Sequence, residues 1–421
     1  MNNIHSPSSK KINLAKELSF ALILGINSGI VYAFLVSTTT TYFTDQQLPI
    51  STIGFLSVKT IPYSFKYLWS PLIDNYSIGL FPKNFGLRKS WIILMQILLV
   101  ITIGCFHCVN IRSIPILTLY LTFIAIIGAT YDTAMEAYRI ESLSKNSGIA
   151  NTCVIYGFRL GFTISSVFAV LLSDIIDWKY VFPTLALLIL LCMIAVFLSE
   201  EKIQHLSDVK TNKNQSFVEK FTQPITLLFR RKDIFLLIIT ISLYKVGDAY
   251  LDTMLVPFLV EVGFSKNQIG GIAKSCGIVG AFVGSLIGIR LIARCEILLI
   301  LFYTEILASL TNLQFLIFLK KNNVILLGLA TFLENVSQGM SNVILISFMS
   351  SLCDKRYIAA HYAIFTSISS FSRSLISPTS GMIVKILGWH HFFVISSLLS
   401  IPSIFSIYLL YWCHNNINKN K

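Results

Sequence analysis

Charged residues are scarce in this chain of 421 residues, and their scarcity excludes an ordinary soluble protein. They make up 13% of the sequence, whereas soluble domains carry about 25%. Hydrophobic residues make up 54%, and the mean hydropathy is +0.72. No stretch remains that is long enough for a separate soluble domain. The composition therefore predicts a multi-pass membrane protein.

The sequence also lacks the residue clusters that indicate a metal site, a disulfide framework or an enzyme. Nearly all of the eight cysteines lie in or beside apolar segments, where a free cysteine behaves as a small hydrophobe. Cys105 and Cys108 flank a histidine, but no second pair of metal ligands accompanies them. The loops are short and carry no catalytic cluster. We therefore expect no metal, no cofactor and no enzymatic activity.

Basic residues outnumber acidic ones, which gives a net charge of +13, but no nucleic-acid motif accompanies that charge. Most Lys and Arg residues fall in the segments that are cytoplasmic if the N-terminus lies inside. The positive-inside rule then predicts that both termini are cytoplasmic. The expected partner of these charges is anionic membrane lipid rather than nucleic acid. The first apolar run is too long for a signal peptide and predicts an uncleaved helix.

Twelve apolar segments are long enough to span a bilayer as helices. Between the sixth and the seventh lies a polar stretch, residues 200–232, with too few apolar residues to pack alone. The sequence thus predicts an N-terminal six-helix bundle (1–199), a cytoplasmic linker (200–232) and a C-terminal six-helix bundle (233–421). This all-α architecture resembles that of the major facilitator superfamily. The predicted segments are 18–43, 51–73, 90–110, 114–140, 148–173, 179–199, 233–260, 268–290, 295–319, 322–352, 357–385 and 390–414.

Two loops carry charged residues at corresponding places in the two halves. Asp74, Arg88 and Lys89 lie at and after the end of the second segment, and Arg290 and Arg294 lie after the eighth. In the major facilitator superfamily such residues form gating ion pairs between helices on the cytoplasmic side. The resemblance implies the same role here, and the alternative is the ordinary positive charge of cytoplasmic loops.

A few acids lie inside the predicted membrane helices, where a charge is costly unless it faces protein or water. Asp132 and Glu136 lie one turn apart in the fourth segment, with Arg139 on the same face. An intramembrane carboxyl group that can bind and release a proton is suited to energy coupling. We therefore predict that Asp132 and Glu136 couple transport to protons. The alternative for Glu136 is an internal ion pair with Arg139.

Polar side chains gather on the first, fourth, seventh and tenth segments, which line the central cavity in the major facilitator superfamily. Their mixture of acids, amides, aromatic rings and cations suits a large polar molecule such as a sugar-peptide. Lys66 and Arg159 either bind a substrate anion or pair with a buried acid such as Asp132. Lys245 likewise either binds the substrate or pairs with Asp248. The predicted substrate-binding residues are Tyr32, Lys66, Arg159, Lys245, Asp248, Glu334, Asn335 and Gln338.

Seven stretches, spread in order over nearly the whole chain, resemble the corresponding regions of AmpG-type muropeptide permeases. The resemblance implies a bacterial inner-membrane importer of N-acetylglucosaminyl-anhydro-N-acetylmuramic acid and its peptides, driven by the proton motive force. This chain has Glu136 where members of that family often have Asp. The stretches are IGFLSVKTIPYSFKYLWSPLIDNY (53–76), GATYDTAMEAYRIESL (128–143), YGFRLG (156–161), LYKVGDA (243–249), FLENVSQGM (332–340), RSLISPTSG (373–381) and LGWHHFFVIS (387–396).

Three other functions compete with this interpretation. The same fold would carry another polar anionic solute, such as a nucleotide, an acyl-CoA or a peptide. A membrane enzyme acting on lipid or cell-wall precursors would need a catalytic cluster on a loop, and no loop carries one. A membrane sensor would need an output domain, and the linker has too little apolar content to form one. We expect a monomer.

Overall fold

The computed structural model describes residues 7–48, 52, 56–79, 86–142, 147–198, 217–265, 268–320, 322–376 and 379–419. All regular structure in these ranges is helical, which confirms the predicted all-α class. The chain divides into two compact units: residues 1–225 with 353–364, and residues 226–352 with 365–421. The predicted boundaries at 199 and 233 stay a prediction. The described end of the predicted linker, from residue 217 onward, begins with a helix.

The first 229 residues contain ten helices within the described ranges. Short π-helical or 3-10 turns join several of them. The helices are α1 (Pro7–Ala33), α2 (Thr39–Asp45), α3 (Ile61–Phe65), α4 (Ser70–Asn75), α5 (Leu87–Gly104), α6 (Ile114–Ser142), α7 (Ser147–Thr163), α8 (Ala169–Ser173), α9 (Trp178–Leu198) and α10 (Phe217–Phe229).

The remainder of the chain contains eight further helices where the structure describes it. The seventh predicted segment is split between two of them. The helices are α11 (Ile234–Leu243), α12 (Val246–Glu261), α13 (Lys274–Arg294), α14 (Ile297–Leu313), α15 (Val324–Ser351), α16 (Ile358–Ile376), α17 (Ser380–Leu398) and α18 (Ile401–Lys419).

Nine helical stretches of the described chain are long and apolar enough to cross a membrane. The predicted second segment is a series of short pieces instead, because Pro62 and Pro71 each stand at the start of a new helix, α3 and α4. The predicted tenth and eleventh segments form the long helices α15 and α16, which carry more polar residues. A kink at Gly388, with φ of 77°, interrupts α17 between the predicted eleventh and twelfth segments.

Each unit contains a long pair of helices whose backbones pack closely through glycine. A Cβ at Gly29 on α1 would lie 2.0 Å from the carbonyl oxygen of Phe158 on α7. A Cβ at Gly284 on α13 would lie 2.0 Å from the carbonyl oxygen of Val336 on α15. Only glycine leaves room for such contacts, which are typical of membrane helix pairs. They fix the position of Ser28 on α1 and of Glu334 on α15.

Large apolar side chains remain exposed on the outer faces of both units. Leu119 on α6 is 73% exposed, and Phe235 on α11 is also 73% exposed. A soluble protein would bury most side chains of this kind, whereas lipid solvates them at no cost. The exposed faces therefore mark the surface in contact with lipid. The polar groups described next lie elsewhere on the same helices.

Candidate functional site

In the first unit, Asp132 is the acid of α6 that is partly buried and has no ion pair with a described residue. It lies half-buried in the middle of α6 and accepts a hydrogen bond from the Ser28 hydroxyl at 2.7 Å. Lys66, which is 8% exposed, acts on it electrostatically without coming within ion-pair distance. Because its donor is a neutral hydroxyl and Lys66 lies outside ion-pair distance, the Asp132 carboxyl group can bind or release a proton without breaking an ion pair.

Aromatic rings surround this acid. The Tyr32 ring packs edge-on against Tyr63, with 5.4 Å between the ring centroids, and also against Phe158 at 5.9 Å. Tyr63 in turn lies close enough to Asp132 to interact with its charge. Tyr32 and Lys66, predicted from the sequence as substrate-binding residues, are therefore brought to the same side of the first unit as Asp132.

Glu136, the other predicted coupling acid, is held in an ion pair. The Arg139 guanidinium donates to Glu136 at 2.6–2.7 Å, and it also donates to the Asn151 side chain. The same guanidinium lies over the Tyr362 ring, 5.4 Å from its centroid. Glu136 therefore balances a buried cation, which corresponds to the alternative stated for it above. Its coupling role stays a prediction, and the geometry favours Asp132.

The residues predicted to gate the first unit are partly brought together. Arg88, which is 3% exposed, donates to Asp74 at 2.8 Å and to Glu141 at 2.6 Å. Asp74 also accepts the backbone N–H groups of Ala359 and Ala360 at 3.0 and 2.8 Å, at the first turn of α16. The carboxylate thus caps a helix and pairs with a guanidinium at the same time.

The other three predicted gating residues lie apart from this cluster. Lys89 points the other way and donates to the Phe197 carbonyl at 3.0 Å. Arg290 and Arg294 are exposed, and neither forms an ion pair with a described residue. The structure therefore brings Arg88 to Asp74 but shows no equivalent pair for the second unit in its described part. The gating role of all five residues remains a prediction.

Arg159 lies half-buried on α7 and makes no ion pair with any described residue. The structure does not pair it with Asp132, which was one of its two predicted roles. Its guanidinium thus remains available to an anion, as does the Lys66 ammonium. Each of these cations has a position compatible with substrate binding, and neither position establishes it.

In the second unit, the helix that carries the predicted charges is broken. α11 ends at Leu243, and α12 begins at Val246. Between them Lys245 adopts φ of 75° and ψ of 5°, the left-handed conformation that non-glycine residues avoid. Such a conformation costs about 1–3 kcal/mol and is found mainly at functional sites. The break therefore coincides with the predicted charged stretch of the seventh segment.

The break turns the Lys245 side chain into the protein. Its ammonium lies 3.2 Å from the Asp248 carboxylate and 3.4 Å from the Gln338 carbonyl oxygen. Lys245 and Asp248 are each 5% exposed. Close packing locks the arrangement, because a Cβ at Gly247 would lie 2.5 Å from the Ser396 carbonyl oxygen. The predicted alternative of an internal Lys245–Asp248 ion pair is thus present.

Amide and carboxyl groups of α12 and α15 form a connected network beside this pair. Asn335 donates to Glu334 at 2.6 Å, and the Gln338 amide donates to both Glu334 and Asp252, the latter at 3.2 Å. Glu334 is 3% exposed, whereas Asp252 is exposed. The structure therefore brings together five predicted residues of the second unit, namely Lys245, Asp248, Glu334, Asn335 and Gln338.

Sequence reasoning missed Glu305 on α14. Its side chain is 1% exposed and lies near enough to Lys245 and Asp248 to interact with their charges. The signal was visible, because Glu305 is the one acid in the interior of the predicted segment 295–319, whose other acid, Glu296, lies at its start. It was passed over because the superfamily pattern directs attention to the first, fourth, seventh and tenth segments. Asn312, also 1% exposed, was missed for the same reason.

The chain is similar to known transporters both in a family model and in individual relatives. The family model described as Major Facilitator Superfamily matches residues 18–377. A putative transporter AmpG 4 of Rickettsia conorii is 29% identical over 397 residues, covering 92% of this chain and 95% of the relative. The anhydromuropeptide permease of Escherichia coli K12 is 29% identical over 391 residues, covering 91% of this chain and 77% of the relative.

Solved structures share the architecture at low sequence identity. The human organic anion transporter MFSD10 has a TM-score of 0.70 and 13% identity, covering 93% of this chain and 99% of that one. A variant of the Escherichia coli fucose:proton symporter FucP has a TM-score of 0.67 and 15% identity, covering 93% and 98%. These likenesses establish the fold, and the predicted twelve-helix architecture is confirmed.

Proposed function

Because the chain belongs to the Major Facilitator Superfamily, we propose that it is a proton-coupled importer of anhydromuropeptides. Family membership makes it a multi-pass membrane transporter and not an enzyme. The proposed substrate is GlcNAc-anhydroMurNAc with its peptides, carried from periplasm to cytoplasm across the bacterial inner membrane for cell-wall recycling. The named relatives that align over nine-tenths of the chain support this choice.

The observation that carries the coupling proposal is the state of Asp132. It is the half-buried acid of α6 that has a hydroxyl partner, Ser28, and no ion pair within the described chain. A carboxyl group of this kind gains or loses a proton without breaking a salt bridge. Glu136, by contrast, would leave the Arg139 charge uncompensated each time it took up a proton.

The substrate proposal is supported by the variety of donors and acceptors. A sugar-peptide presents hydroxyl and amide groups, which suit Glu334, Asn335 and Gln338. It also presents carboxylates, which suit the cations Lys66 and Arg159. Charge-assisted contacts of this kind contribute about 1.5–3 kcal/mol each. A nucleotide, an acyl-CoA or a free peptide would also use the cations, but it lacks the N-acetylated disaccharide of the proposed substrate.

Uptake into proteoliposomes tests both parts of the proposal. Labelled GlcNAc-anhydroMurNAc-peptide should accumulate in wild-type vesicles when an inward pH gradient is imposed, and unlabelled nucleotide, acyl-CoA or peptide should not compete. We expect Asp132→Asn to abolish gradient-driven accumulation while substrate exchange continues. Asp174→Asn, an exposed acid of the same unit, serves as the matched control. Wild-type accumulation by Asp132→Asn would remove Asp132 from the coupling mechanism.

We further propose that both termini and residues 200–232 face the cytoplasm, on the basis of the Lys and Arg distribution. Asn214 lies in that stretch, outside the described residues. An engineered cysteine at Asn214 should resist an impermeant thiol reagent in intact cells and react after the cells are opened. Strong labelling of intact cells would reverse the proposed orientation.

A further inference from the structure

Glu305, the acid on α14, takes no part in the transport site proposed above. The cation that acts on it, Lys245, is already paired with Asp248, and in the described chain Glu305 has no ion pair within 4 Å. Burying an ionised carboxylate without a bound counter-ion costs far more than burying the neutral acid. At a side-chain exposure of 1%, Glu305 is therefore stable in the membrane interior as a protonated acid.

Glu305 is one of several buried polar groups in the described part of the second unit that lack a hydrogen-bond partner. The Oε1 atom of Glu305, both amide atoms of Asn312 and the Oγ atom of Ser403 are buried without a hydrogen-bond partner in the part of the chain that the structure describes. The Ser400 and Ser403 hydroxyl groups nevertheless lie near enough to the Glu305 carboxyl group to act on it as weak hydrogen-bond donors. Buried polar groups of this kind are normally solvated by ordered water.

This polar group reaches the backbone at the helix break. The Asn312 Nδ2 atom and the Ser400 Oγ atom lie 3.5 and 2.9 Å from the point that a Cβ on Gly247 would occupy. Gly247 stands between Lys245 and Asp248 in the sequence. The Asn312 amide and the Ser400 hydroxyl therefore lie beside the stretch of backbone that carries the Lys245–Asp248 ion pair.

Acids outnumber cations around this break. Asp248, Asp252, Glu305 and Glu334 all interact with Lys245, and Arg373 acts on Asp252. Four carboxyl groups close to two cations in a low dielectric cannot all be ionised. Asp248 has the ion pair, and Asp252 and Glu334 accept amide hydrogen bonds. Glu305 is the most buried of the three acids that have no ion pair in the described chain, and its other titratable neighbour is the Tyr244 phenol.

We propose that Glu305 is a second proton-binding residue, which takes up its proton from, and returns it to, water held by Asn312, Ser400 and Ser403. When the O–H bond of the acid breaks, the carboxylate competes with Asp248 for the Lys245 ammonium. When the proton returns, Lys245 pairs with Asp248 alone. The inference rests on the proposed proton-coupled transport, and it adds a proton site in the second unit to the predicted one in the first.

Infrared spectroscopy of the full-length protein in lipid tests the protonation state without any transport measurement. The wild-type minus Glu305→Gln difference spectrum at neutral pH should contain the C=O stretch of a protonated carboxylic acid. Asp132→Asn should retain that band, and Glu305→Asp should shift it. Glu261→Gln, an exposed acid on α12, is the control and should leave it unchanged. Carboxylate bands in place of the acid band would overturn the proposal.

Transport supplies the second readout. Glu305→Gln mimics the protonated acid, so we expect it to fold and to exchange substrate across the membrane, with loss of accumulation under a pH gradient. Glu305→Asp keeps a titratable group and should restore part of that accumulation. Gradient-driven accumulation by Glu305→Gln at the wild-type level would also overturn the proposal. If the wild type itself accumulates no muropeptide, the proposed function fails, and the infrared result still decides the state of Glu305.

Discussion

The two units share a packing scheme but distribute their charges in opposite ways. Each has a pair of helices in close contact through glycine, α1 with α7 and α13 with α15. In the first unit, ion pairs bind Arg88 and Arg139, and the acid Asp132 is left without one in the described chain. In the second unit, Arg290 is exposed, and the buried charges gather around a broken helix.

The same packing framework therefore carries two different charge arrangements. In the first unit, ion pairs hold the buried guanidinium groups, and Asp132 on α6 has no ion pair with a described residue. The second unit holds several carboxyl groups that compete for one ammonium, Lys245, so that a change at one of them alters the others. The following predictions test whether these two arrangements differ as described.

The largest expected effect is on stability, from removal of the central guanidinium of the first unit. Arg88→Ala leaves Asp74 buried with its pairing charge removed, so we expect a loss of about 3–5 kcal/mol. Arg290→Ala, the corresponding change in the second unit, should cost no more than about 0.5 kcal/mol because its side chain is exposed. Thermal unfolding of the two purified variants measures both. Equal losses would mean that Arg290 has a buried partner and that the asymmetry is wrong.

The next effect is on binding and compares the cations of the two units. Lys245→Ala should weaken binding of an anionic muropeptide by about 10–100-fold and affect a neutral disaccharide analogue less, because one charge-assisted contact is lost. Lys66→Ala should behave likewise if Lys66 contacts substrate. Exposed Lys320 provides the control variant Lys320→Ala.

Titration of both ligands against the three variants in detergent separates substrate binding from structural roles. A similar loss of affinity for the charged and the neutral ligand would mean that Lys245 stabilises the helix break and does not bind the substrate. A selective loss in Lys66→Ala, with none in Lys245→Ala, would move the anion-binding site entirely to the first unit.

The smallest effect concerns pH and the loop that leads into α16. Hydrogen bonds from Arg356 lower the pKa of Asp354 below its ordinary value. A lowered pKa means that the carboxylate stabilises the fold above pH of about 4, and that this contribution is lost as the pH falls through the folded-state pKa. Solvent screening limits the contribution to less than about 1 kcal/mol.

The change in melting temperature between neutral and acidic pH checks this sign. Asp354→Asn should lower the stability at neutral pH slightly. It should also reduce the fall in melting temperature between neutral and acidic pH. Asp177→Asn provides a comparison, since Asp177 pairs only loosely with Lys179 at 3.5 Å and both side chains are exposed. A steeper acid limb in Asp354→Asn would contradict the assignment.

The helices and the buried charges could be read from the sequence because a bilayer imposes length and polarity on every spanning segment. The pairs Glu136 with Arg139 and Lys245 with Asp248 followed from helical spacing alone. Asp74 and Arg88 followed from the superfamily pattern. Such features depend on residues close together in the sequence or on a family pattern, so they can be predicted from one sequence.

Features that depend on tertiary packing could not be read in this way. The sequence LYKVGD does not predict the left-handed conformation of Lys245, which occurs where the neighbouring Gly247 packs closely against α17. The partners of Glu305 come from residues far along the chain. Arg290 stayed exposed although its sequence context resembles that of Arg88, because no buried acid of the described second unit lies within ion-pair distance of it.

The break at Lys245 has a mechanical consequence for α12. Each residue that joins a helix advances it by about 1.5 Å and turns it by about 100°. Returning Tyr244 and Lys245 to helical geometry would merge α11 and α12 into one continuous rod and rotate every side chain beyond the joint. Asp248 and Asp252 would then face different neighbours. The unit therefore carries a backbone joint whose angle sets which carboxyl groups meet the ammonium.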